Sequence, residues 1–72
     1  MTAIPPLDNV LLWEAGLKAT GANIHQVNTA IAEYKFAHTI ANRRQAKGTL
    51  DEQYVAKVED ARRNLRKTLR GL

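Results

Sequence analysis

Between residues 24 and 41 the seam positions fall in alternating steps of three and four: Ile24, Val27, Ile31, Tyr34, His38 and Ala41. This is the heptad rhythm of a helix, with β-branched residues at its first positions. The rhythm returns downstream at Tyr54, Val58, Ala61, Leu65, Thr68 and Leu72, flanked by Leu50, Val55 and Leu69. Upstream, Leu7, Val10, Leu11 and Leu17 fall on one side at helical spacing, and Leu12 and Trp13 widen that side. Strand-like alternation is absent throughout. The pattern predicts one all-α domain over 1–72: a short N-terminal helix (about 6–19), then a long antiparallel hairpin of two helices (about 23–47 and 50–70).

Punctuation residues set the expected boundaries. Pro6 suits a first helical turn, and Asp8 suits an N-cap. Gly21 suits the left-handed position that ends a helix. Asn23 with Gln26 predicts a cap for the second helix, and Thr49 with Glu52 a full capping box for the third, directly after Gly48 ends the second. The two long helices should each reach roughly 30–37 Å at 1.5 Å per residue.

Phe36 and Ile40 point roughly opposite to the seam of the second helix, so that helix asks for two partners. One is the third helix, and the other is the first helix or a second copy of the chain. A chain of 72 residues without cysteine cannot rely on disulfides, which favours self-association into a two-fold bundle. The interface residues expected on this reading are Trp13, Ile24, Val27, Ile31, Tyr34, Phe36 and Ile40.

Charge changes the picture. Residues 1–42 carry Lys18 and Lys35 against Asp8, Glu14 and Glu33, whereas residues 43–72 carry nine Lys or Arg against four acids. The chain ends in ARRNLRKTLRGL, with five cations and no acid. Such asymmetry points to an anionic partner, either nucleic acid or an acidic protein. The candidate phosphate contacts are Arg43, Arg44, Lys47, Arg62, Arg63, Arg66, Lys67 and Arg70, rich in arginine, whose planar fork suits phosphate. The four aromatics lie away from the basic end, and no base-reading motif occurs. Duplex RNA or DNA bound through its backbone is therefore the expected nucleic-acid mode. Helix-dipole complementarity and a Glu59–Arg63 pair account for part of this charge structurally. The rival function is a small interaction module, an inhibitor, adaptor or assembly factor, docking through an apolar helix face around Trp13, Phe36 and Ile40.

Enzyme chemistry is not expected. There is no Ser or Cys, the carboxylates are dispersed, and His25 and His38 have no third ligand beside them, so neither metal nor cofactor is anticipated. His38, at a seam position, is expected to be half-buried and hydrogen-bonded to a neighbour. The N-terminus has neither a basic nor an apolar leader segment, and no apolar run could span a bilayer. A cytoplasmic accessory protein, of a viral or plasmid-borne kind, fits this economy of size.

Overall fold

Asp8 is the N-cap that its position predicts. Its carboxylate accepts from the backbone N–H of Leu11 at 3.0 Å, and helix α1 (Asn9–Lys18) begins at the next residue. The computed structural model describes residues 3–72; Met1 and Thr2, part of the segment read for a leader, lie outside the described residues. After α1 come a single 3-10 turn (Gly21–Asn23), α2 (Ile24–Ala46) and α3 (Glu52–Arg70). The described residues are thus all-helical, and none of these helices is long and apolar enough to cross a membrane.

Four boundary expectations need correction, each for a local reason. The first helix starts at Asn9 and not near Pro6, because Pro5, Pro6 and Leu7 run irregularly across the body of the molecule. Asn23 does not cap α2. It is already helical (φ −96°, ψ −3°), and its carboxamide turns back to accept from the Thr20 N–H at 2.9 Å. Gly21, at φ +58°, opens this 3-10 turn instead of closing α1, which ends at Lys18. Thr49 does not cap α3 either. Gly48 turns left-handed at φ +73°, and this directs both the N–H and the hydroxyl of Thr49 to the Arg44 carbonyl, at 2.9 and 3.4 Å. Thr49 therefore finishes α2. The next good acceptor, Asp51, sits in extended backbone and caps α3 by accepting from the Gln53 N–H at 2.9 Å.

The largest interface lies between α2 and α3, and α1 lies against both. The start of α2 (His25–Ala30) shares a shallow groove with Asn64 and Thr68 near the end of α3, while Arg44 near the end of α2 covers Tyr54 at the start of α3. The resulting body measures 42 × 17 × 16 Å. Its core is Leu11 and Ala15 from α1, Val27, Ala30, Tyr34 and Ala41 from α2, and Val58, Leu65 and Leu69 from α3. The three alanines keep the helix axes close.

The seam of α2 is used inside the chain. Val27, Tyr34 and Ala41 are completely buried, Ile31 and His38 are half-buried, and only Ile24, at the end, is exposed. Two of the expected dimer contacts, Val27 and Tyr34, therefore cannot reach a second copy of the folded chain. The physical reason is that α1 packs on α2 beside α3, and the Asp8 N–H at its start reaches the Tyr34 hydroxyl.

A candidate docking face on the first helix and the basic residues beside it

The stretch VLLW places four large apolar residues at successive 100° steps around a helix of ten residues, so they cannot share one face. Leu11 is buried and Leu12 half-buried, with Ala15 and Ala19 continuing that side into the core. The opposite side carries Val10, Trp13 and Leu17, spaced i, i+3, i+7, which are 75%, 69% and 60% exposed. Val10 and Leu17, read on one side with Leu7 and Leu11, are thus separated from Leu11. The clue available in the sequence was the four-residue apolar run itself.

A polar clamp fixes which side of α1 turns inward. The Asp8 N–H donates to the buried Tyr34 hydroxyl at 2.8 Å, and its second carboxylate oxygen accepts from Arg62 Nε at 3.0 Å. Three residues upstream, the Pro5 carbonyl can only accept, so His38 Nε2 donates to it at 3.1 Å. His38 Nδ1 must then be the acceptor for the Asn42 amide at 3.0 Å. His38 is thus the half-buried, hydrogen-bonded histidine expected of it. Bonds to the Leu11 N–H and Arg62, with the charges of Arg62 and Arg66, hold the Asp8 carboxyl below the usual carboxylate range, although burial pushes the other way. Rolling α1 to bury Trp13 would break several of these contacts together.

The eight candidate cations do not form one continuous strip. Arg62 is a strut between Asp8 and α3, only 40% exposed along its side chain. Arg63 pairs with Asp60 at 3.2 Å, not with Glu59 as expected; the i,i+3 carboxylate lies within reach of its guanidinium. Arg44 lies over the Tyr54 ring, 5.1 Å from the centroid. Arg43 and Lys47 are exposed at that same end of α2. Arg66, Lys67 and Arg70 are exposed on the last turns of α3, and none has a carboxylate within ion-pair distance among the described residues. From Tyr54, where Arg44 sits, to Arg66 is about 18 Å along the helix axis.

Arg66 and Arg70 do, however, meet α1. Together with Val10, Glu14, Lys18 and Leu69 they line an open groove of about 300 Å³. Within it, Glu14 and Lys18 neutralise one another at 3.1 Å. At its Val10 end the apolar stripe of α1 is thereby bordered on the α3 side by two arginines that make no ion pair among the described residues. Of the other expected interface residues, Phe36 is exposed on the far side of α2 and Ile40 is half-buried. Comparison with protein-family models, curated proteins and solved structures finds no match for this chain.

Proposed function

We propose that this chain is a cytoplasmic, non-catalytic binding module that docks on a larger protein through the outward side of α1, with α2 and α3 serving as a rigid antiparallel hairpin behind it. One observation carries the reading. Val10, Trp13 and Leu17 form a helical stripe more than half exposed, on a helix whose inward side is already satisfied. Single exposed apolar residues are ordinary, but a contiguous stripe at i, i+3, i+7 matches the anchors by which helices seat in grooves. A photo-crosslinking residue placed at Trp13, in the chain's native cells, tests it. The expected result is one recurrent protein adduct, absent from a control probe at Asp60 and lost on Leu17→Asp. Equal labelling from both positions would sink the reading.

A second reading, duplex nucleic-acid binding, is favoured by the solvent side of α3, where Arg63, Arg66, Lys67 and Arg70 occupy the final two turns. Its test is affinity for duplex RNA and duplex DNA across a salt series. The variant is Arg66, Lys67, Arg70→Ala, which leaves the Arg62 strut intact. Phosphate contact predicts a salt slope shallower by about 2–3 in the variant. No binding at low salt would remove this reading.

A further inference from the structure

We infer that the stripe of α1 receives an amphipathic helix of another protein, apolar along one side and acidic along the border that faces Arg66 and Arg70. The inference rests on the docking reading above and specifies the chemistry of the partner.

Charge complementarity carries the argument. Across the groove from Val10 stand Arg66 and Arg70. The carboxylates that could have neutralised them are already engaged: Asp8 by the Leu11 N–H and Arg62, Glu14 by Lys18. At its Val10 end the stripe is therefore bordered by two arginines that make no ion pair among the described residues, and an occupant that seats there brings its own edge against these guanidiniums. Carboxylates there gain charge-assisted, bidentate contacts; lysines there are repelled.

The other flank of the stripe fits a helix. Gly16 lies beside Trp13 and Leu17, and nothing stands within 4 Å of the place its Cβ would take. Its backbone is ordinary helix, so no turn requires glycine here. A glycine in an exposed helix interior costs about 1 kcal/mol against alanine, and a low wall on which a second helix can lie close gives it a use.

A second copy of this chain is the poorer occupant. It carries a net charge of +4 and would bring its own Arg66 and Arg70 toward the same stripe. Three side chains also offer only a few hundred Å², well short of the roughly 800 Å² per partner in a stable symmetric pair.

Trp13 is the only tryptophan, so its emission reports on the stripe directly. The probes are two stapled helical peptides of about 18 residues. They share Leu at i, i+3, i+4 and i+7; one has Glu along a border, and its twin has Lys at the same positions. Near physiological salt the Glu peptide is expected to shift the Trp13 emission to the blue and to bind about five- to tenfold more tightly than the Lys twin. The full chain carrying Arg66→Glu and Arg70→Glu should invert that preference, with unchanged helicity.

Other outcomes separate the two levels of the proposal. Equal binding of both peptides, with the Trp13 shift, overturns the acidic partner and leaves docking through α1 standing. No shift with either peptide overturns docking as well. A blue shift that develops with protein concentration alone names a second copy as occupant and overturns the inference. A short RNA or DNA duplex that displaces the Glu peptide and binds more tightly overturns it in favour of the nucleic-acid reading.

Discussion

Helices α1 and α3 present the same kinds of residue to opposite effect. In α3, Tyr54, Val55, Val58, Leu65 and Leu69 are all at least half-buried, and the outer side is given over to charge. In α1, only Leu11 among the five large apolar residues is buried, and three of the others face away from the body. The fold accounts for every large apolar residue of α3. It accounts for fewer than half of those of α1, and the remainder is a surface that burial within this chain does not explain. The contrast also separates two uses of cations. Arg62 holds α1 in place, whereas Arg66 and Arg70, one and two turns further on, make no ion pair among the described residues.

The largest test of this contrast removes one leucine from each helix. Leu65 is completely buried, so Leu65→Ala should cost about 2–5 kcal/mol through lost burial and a residual cavity. That is a large share of what so small a domain has, and extensive unfolding at room temperature is an expected outcome. Leu17→Ala should change stability by less than about 0.5 kcal/mol. Urea denaturation followed by helical circular dichroism checks both. A large loss at Leu17 would mean that the stripe is part of the core.

Next in size is the clamp that gives α1 its two unlike sides. Asp8→Ala removes the cap and leaves Arg62 unpaired, with an expected cost of about 1–2 kcal/mol. Asp8→Asn keeps an acceptor for the Leu11 N–H, but it loses the charge and turns an amide donor toward Arg62 Nε, so the Arg62 bond is lost as well. Because folding lowers the affinity of Asp8 for its proton, its charge stabilises the native state fully above the unfolded-state value and progressively less below it. The stability difference between wild type and Asp8→Asn should therefore be constant near neutrality and shrink as the pH falls below about 4. A difference that does not shrink on acidification would mean that neither the Leu11 N–H bond nor the Arg62 pair gains from the charge of Asp8. Tyr34→Phe, which deprives the Asp8 N–H of its acceptor, should cost about 1 kcal/mol. It should also raise amide exchange in α1 more than in α3.

The helices were legible in the sequence because their signals are local. The three–four rhythm of Val27, Tyr34 and Ala41, and the Asp8 cap, are read from neighbours within a turn or two. The clamp was not legible. It joins Asp8 to Tyr34, Pro5 to His38 and Asp8 to Arg62, pairs 26, 33 and 54 residues apart, and nothing in periodicity registers such contacts. The same gap hid the exposed stripe: VLLW spreads large apolar residues over a wide arc of α1, and contacts distant in sequence decide which part of it is left outside. Thr49 misled for a different reason. A threonine three residues before a glutamate satisfies the capping pattern, but Gly48 had already turned its polar groups toward the end of α2.

The smallest expected effect discriminates most sharply between fold and surface. Gly16→Ala replaces glycine with the best helix former at an exposed interior position, with nothing within 4 Å of the new methyl group. Judged by the fold alone, the variant should be more stable by about 0.5–1 kcal/mol. If Gly16 is the low wall of a docking groove, the same methyl group stands where a second helix must lie, and affinity for the Glu peptide should drop several-fold while stability rises. Gly16→Ala thus predicts opposite signs for two measurements on one protein. A gain in stability with unchanged peptide affinity would leave the Trp13 stripe intact but take Gly16 out of the site. A loss of stability would mean that α1 packs more tightly on that flank than its open surroundings indicate, and the division of α1 into a satisfied side and an unsatisfied side would have to be redrawn.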